Sequence, residues 1–140
     1  MKRVAVVYWS GTGNTEQMAN AVADGARKAG AEVTLLTPAD FNSGKVSQFD
    51  ALAFGCPAMG SEVLEEMEFE PMFTDCISAL GSRPIALFGS YGWGDGEWMR
   101  GWERTCDDAG LNRVHDSVIC CDAPDDDAAA ACRDLGAALA

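Results

Sequence analysis

Basic side chains are scarce in this chain. Its 140 residues carry 10 lysines and arginines against 22 aspartates and glutamates, a formal net charge of −12. Such a surface repels phosphate backbones and anionic lipids, so nucleic acid and membrane are not expected as partners, and proteins with basic docking surfaces are. Histidine is scarcer still. His115 is the only one, and it reads as a surface residue rather than a catalyst. The six cysteines (Cys56, Cys76, Cys106, Cys120, Cys121 and Cys132) never adopt a Cys-x-x-Cys spacing. No metal or iron–sulfur site is therefore expected. The thiols read as reduced, small hydrophobes of a cytoplasmic protein. No apolar run approaches the ~20 residues of a membrane span. Met1-Lys2-Arg3 leads straight into a short apolar segment, so no signal peptide is expected. Repeats, low-complexity tracts and linkers are also missing. With 48% hydrophobic residues, the chain reads as one soluble domain over 1–140, expected to be monomeric.

The stretch that organises the rest is Ser10-Gly11-Thr12-Gly13-Asn14-Thr15. An apolar run, Val4 to Trp9, precedes it, and a helical pattern follows. A strand, a loop of glycines and hydroxyls, and a helix start together form a phosphate site: the loop backbone and the helix N-terminus offer unpaired N–H groups and partial positive charge. Better-known phosphate loops do not fit. There is no lysine for a P-loop, and Glu16 stands where the dinucleotide fingerprint needs its third glycine. Cys56 is followed at the sixth place by Glu62, not by the arginine of a cysteine-dependent phosphatase. The loop must hold its phosphate with neutral groups.

Taken in order, the pattern predicts strands over 3–9, 32–36, 50–55, 83–89 and 113–121, and helices over 14–29, 69–80, 97–109 and 125–139. Met18, Val22 and Ala26 form the apolar stripe of the first helix, with Ala19 and Ala23 beside it. Trp98, Trp102, Cys106 and Ala109 form that of the third, which makes both tryptophans core. Residues 38–47 read as a short helix or loop. The alternation is that of an α/β fold, a doubly wound five-stranded parallel sheet of order 2-1-3-4-5 with helices on both faces. The last strand is expected to run uninterrupted. Ligands of such a sheet bind beyond the carboxyl ends of its strands, at the switch between strands 1 and 3.

Two further loops emerge at that end. Ala58, Met59, Gly60, Ser61 and Glu62 follow strand 3; Ser90, Tyr91, Gly92, Trp93 and Gly94 follow strand 4. Met59 to Glu62 reads as a tight turn of type II′, with positive φ at Gly60. An indole on a glycine-rich loop is placed to stack on something flat. A phosphate cradle, a thioether and an indole describe a site for a flat ring carrying one phosphate, which flavin mononucleotide (FMN) fits. Cys56 has no base partner and reads as structural. Asp122, Asp125, Asp126 and Asp127 read as a solvated loop and helix start.

The runs Tyr8 to Thr15, Gly55 to Glu62 and Leu87 to Gly94 together resemble those of flavodoxins, of the short-chain type found in anaerobic bacteria. The likeness spans the whole chain. It implies that Ser10 to Thr15 hold the FMN phosphate, that Met59 covers the inner ring face and Trp93 the outer, and that Glu62 accepts a hydrogen bond from flavin N3–H. By the same resemblance the Gly60 carbonyl meets the proton on N5 in the semiquinone, and Gly92 brings backbone close to the pyrimidine end. The implied function is one-electron transfer at low potential between semiquinone and hydroquinone, without catalysis on a substrate. Low-potential oxidoreductases would be the partners. The alternatives are an FMN-dependent quinone or nitro reductase, and a non-redox binding module of the same fold.

Overall fold

The computed structural model describes all 140 residues, Met1–Ala140. The elements run β1 (Arg3–Tyr8), α1 (Asn14–Lys28), β2 (Glu32–Leu36), β3 (Ala51–Gly55), α2 (Phe69–Leu80), β4 (Pro84–Tyr91), α3 (Glu97–Asp108), β5 (Asn112–Arg113), β6 (Val118–Cys121) and α4 (Asp126–Leu139). Residues 38–47, ambiguous in sequence, form two 3₁₀ turns, Pro38–Asp40 and Ser43–Gln48. The sheet is parallel throughout, in the order β2-β1-β3-β4, with β5 and β6 both on the outer side of β4.

Two apolar layers sandwich the sheet, and the alternation of each strand assigns its residues to them. Ala5, Val7, Leu52, Phe54, Ile85 and Leu87 face α2 and α3. Val4, Val6, Ala51, Ala53, Ala86 and Phe88 face α1 and α4. The stripe Met18, Ala19, Val22, Ala23 and Ala26 is fully buried against the second layer. Burying a valine or methionine side chain there is worth about 1.5–3 kcal/mol each. The small residues matter as much. A side chain on Gly25 would overlap the Arg133 backbone, and one on Gly136 the Val22 backbone, so α1 and α4 touch at glycine. Trp98 and Trp102 are core, each 2% exposed. Ala109 is not; it caps α3 in solvent, beyond the helix's last inward turn.

The last strand departs from expectation. It is broken between Arg113 and Val118. Arg113 pairs with Ile85 and Val118 with Phe88, so more chain is spent on the outer strand than β4 spans. The excess is looped out and clamped to α3. Arg113 donates to Glu103 and Asp107 at 3.2 Å, and the Ser117 hydroxyl donates to Glu103 at 2.6 Å. β4 also runs further than its apolar pattern, which places Ser90 and Tyr91 inside the sheet rather than in the loop. No helix is long and apolar enough to cross a membrane.

Candidate functional site

Loops from the carboxyl ends of β1, β3 and β4 meet in a crevice of about 250 Å³. Its walls are Trp9, Ser10, Gly11, Thr12, Asn14 and Thr15 from the first loop, Pro57, Ala58 and Met59 from the second, and Ser90, Tyr91, Gly92 and Asp122 from the outer strands. A wider cavity of about 540 Å³ shares Trp9 to Thr12 and reaches Thr37, Pro38 and Glu68, so the first loop is open on two sides. No lysine or arginine lines either space.

The first loop is built to receive an anion. Gly13, at φ 97°, turns the chain into α1, a conformation that costs other residues about 1–2 kcal/mol. The Ser10 hydroxyl oxygen is turned inward and accepts from the N–H groups of Gly13 (3.1 Å) and Glu16 (3.2 Å), so it shapes the loop. The N–H groups of Gly11, Thr12, Asn14 and Thr15 meet no acceptor within the chain. Beside them Thr15, 1% exposed, has a buried hydroxyl without a partner.

The second loop differs in detail from the type II′ expectation. Glu62 N–H donates to the Met59 carbonyl at 2.9 Å, closing the turn, and Met59 N–H donates to Val63 O at 2.9 Å. The positive φ belongs to Glu62 (56°), not to Gly60. Two central residues with negative φ followed by one left-handed residue is the usual way to close a three-residue loop, and it spares the glycine. Gly60 and Ser61 are exposed, and a side chain on Gly60 would meet nothing within 4 Å. Glu62 is held from outside its loop: Oε2 accepts from Trp98 N–H at the start of α3, 3.1 Å away. Its Oε1 is buried and has no partner. The loop continues into a second carboxylate, Glu65, 5% exposed, which accepts from the N–H groups of Met67 (2.9 Å), Glu68 and Phe69 (both 2.8 Å) at the start of α2. Burial pushes the Glu65 carboxyl up, but those three donors outweigh it and hold it below the usual carboxylate range.

The third loop begins later than expected. Ser90 is buried, and its hydroxyl donates to Asp122 O at 2.5 Å, tying β4 to β6. Tyr91 lies half-buried against Trp98, ring centroids 5.6 Å apart. Trp98 in turn donates from Nε1 to Cys56 O at 3.0 Å. Gly94 and Gly96 have φ of 87° and 91°, and Arg100 pins the intervening Asp95 through both its carbonyl (2.9 Å) and its carboxylate (3.0 Å). Trp93 is 63% exposed and stands outside the crevice walls.

The Flavodoxin family model matches residues 6–136. The chain belongs to the flavodoxin family. It is 44% identical over 137 residues to a flavodoxin of Megasphaera elsdenii, covering 98% of each chain. It is 45% identical over 121 residues to one from Clostridium beijerinckii, covering 86% of this chain and 88% of that one. The solution structure of two-electron reduced Megasphaera elsdenii flavodoxin superposes with a TM-score of 0.89 at 45% identity over 97% of both chains. A flavodoxin from the domain Archaea shares the fold, at a TM-score of 0.85 and 24% identity.

The crevice combines the unpaired N–H groups of the first loop with the apolar surface of Trp9, Ala58 and Tyr91. Two buried oxygens have no partner: Thr15 Oγ1, in the crevice wall, and Glu62 Oε1, in the second loop but outside the crevice walls. The crevice takes in half-buried Met59. Sequence reasoning missed Trp9, Pro57 and Asp122 as crevice walls. Asp122 carried one signal, its position just past the last strand at the carboxyl edge; its left-handed φ of 58° was not legible. Cys56, Cys76, Cys106 and Cys132 are buried and free, they lie outside the crevice walls, and burial pushes each thiol up to about 12.

Proposed function

We propose that the crevice between the β1, β3 and β4 loops holds FMN and that the chain works as a low-potential one-electron carrier. Flavodoxins are FMN-binding electron carriers and not enzymes, which fixes the class of activity; the assignment of residues is our reading. The unpaired N–H groups of Gly11, Thr12, Asn14 and Thr15, with the Thr12 and Thr15 hydroxyls, take the phosphate. Ser10 and Gly13 keep that loop in shape. Ala58 and Met59 lie under the ring, and Tyr91, Gly92 and Trp93 bound its other side. Glu62 Oε1 accepts from the ring's N3–H. Bound FMN supplies the redox chemistry, taking up and releasing electrons singly. Gly60, on an exposed turn with open space around it, would let that turn rearrange so that its carbonyl could accept a hydrogen bond from the ring's N5 when N5 carries a proton.

The observation that carries this reading is the pair of buried, unpartnered oxygens on two different loops. A buried acceptor without a donor costs about 1–3 kcal/mol, which a ligand bearing an N–H relieves. A net charge of −12 and the Glu62 carboxylate together disfavour further negative charge on the ring, which lowers its potential. The same charge suits redox partners with basic docking faces. Six free cysteines suit a reducing cytoplasm.

A fluorescence titration of the FMN-free chain tests the reading. FMN should bind with strong quenching and riboflavin at least about tenfold more weakly, by the worth of the phosphate's hydrogen bonds. Equal affinities would reject the phosphate placement.

A further inference from the structure

Three glycines punctuate the loop between β4 and α3, and they are not equivalent. A side chain on Gly92 would come no closer than 3.8 Å to Asp122 Oδ1, an ordinary contact. One on Gly96 would meet the tip of Ile119 at 3.1 Å. One on Gly94 would overlap Glu62 Oε1 and stand 2.8 Å from the carboxylate carbon. The Glu62 carboxylate therefore sits in the space that Gly94 leaves by having no side chain. On its other side Oε2 is tied to Trp98 N–H at 3.1 Å. The backbone of Glu62 is left-handed, at φ 56°, so the residue has been brought to this seat against its own conformational preference.

We propose that Gly94 is a positioning residue for the flavin site: it seats the Glu62 carboxylate so that Oε2 stays on the α3 N-terminus and Oε1 stays free for the donor edge of the ring. This rests on the reading that Glu62 meets the ring. A methyl group at Gly94 displaces the end of a flexible side chain rather than backbone. The backbone strain of a side chain at this φ is shared with Gly96; only at Gly94 does the methyl also unseat the carboxylate. The displaced carboxylate loses Trp98 N–H, leaves the ring edge, and removes a fixed negative charge from beside the flavin.

Gly94→Ala should weaken FMN binding by about tenfold or more, the range for losing a hydrogen bond to a charged acceptor. It should also make the potential of the second one-electron reduction less negative, because a nearby negative charge has moved away. Backbone strain alone would do neither in this pattern. Gly96→Ala is the control for strain, because Gly96 has nearly the same φ of 91° and lies away from Glu62. Its FMN affinity and potentials should stay within about threefold and unshifted. The decisive measurement is a double-mutant cycle with Glu62→Ala. Once the carboxylate is gone, Gly94→Ala should add nothing to either readout. Glu62→Ala alone must weaken FMN and raise the same potential. If it does not, the role of Glu62 at the ring is wrong and the inference falls with it. If it does, yet Gly94→Ala behaves like Gly96→Ala or keeps its full effect without the carboxylate, Gly94 acts on backbone conformation and the inference alone is overturned. If Gly94→Ala fails to fold while Glu62→Ala/Gly94→Ala folds, clash with the carboxylate is confirmed. If both fail, the loop needs glycine for its φ, which overturns the inference.

Discussion

Removing the Glu65 carboxylate should loosen the loop that carries Met59 and Glu62, and the cost follows from its three donors. Phe69 is fully buried, so its N–H, left alone by Glu65→Ala, cannot be rehydrated. Met67 and Glu68 are exposed, so water can replace most of what they lose. One charge-assisted bond lost outright plus two partly replaced comes to about 3 kcal/mol. Glu65→Gln can turn its amide oxygen to Glu68 and Phe69, but it then points an amide N–H₂ at the Met67 N–H. One bond and the charge are lost, about 1.5 kcal/mol. The pH dependence distinguishes this account from simple packing. The folded-state pKa of Glu65 is depressed, so its contribution is complete above the unfolded value of about 4.3 and drains away as pH falls through the folded-state value. Glutamine does not titrate. The stability gap between parent and Glu65→Gln should therefore be full at pH 7 and narrow steadily below about pH 4.3. Urea unfolding of the FMN-free chain at a series of pH values measures both. A gap that stays constant down to acid, or a loss under about 0.5 kcal/mol for Glu65→Ala at pH 7, would refute the argument.

Thr15→Val removes a hydroxyl that has no partner within the chain, so the FMN-free protein should be no less stable, while FMN binding weakens by about 1.5–3 kcal/mol and riboflavin binding does not change; equal losses for both ligands would place the hydroxyl elsewhere. Trp93→Ala should weaken FMN and alter its absorption spectrum. Trp102→Ala, whose indole packs edge-on to Phe69 and Phe73 at 5.4 and 5.6 Å, should cost about 3–5 kcal/mol of stability and leave the spectrum alone. The reverse pattern would mean the wrong tryptophan is at the ring. Gly60→Ala and Gly60→Thr should bind oxidised FMN almost as the parent does, since the space is open, yet accumulate progressively less of the one-electron-reduced form in an equilibrium reductive titration, because a turn that re-forms as type II′ to present the Gly60 carbonyl puts residue 60 itself at positive φ. Identical maxima in all three proteins would dismiss the rearrangement.

What the sequence makes legible is what near neighbours encode. The stripe Met18, Val22 and Ala26 is written at helical spacing, and α2 lies where its pattern puts it, Phe69–Leu80. The crevice loops announce themselves because glycines and hydroxyls cluster between an apolar run and a helix. The features that escaped are made by partners far apart in the chain. The break between β5 and β6 depends on Arg113 and Ser117 both reaching Glu103 on α3, and nothing in the apolar run 113–121 reports that clamp. The turn at Met59 is the sharper case. Gly60 attracts the positive φ in any local reading, because glycine adopts it at no steric cost. The structure gives it to Glu62, and the reason lies 36 positions on, where Trp98 N–H waits at the end of a helix for an acceptor. A left-handed glutamate costs about 1–2 kcal/mol, comparable to one hydrogen bond from a helix N-terminus to a carboxylate. That balance is decided only when the two loops meet. Read alone, Glu62 is a solvated carboxylate; held between Trp98 and Gly94 it becomes an oriented acceptor with one oxygen left over. A residue whose local cost is met by a distant partner is the kind that periodicity cannot find and that a functional site tends to contain.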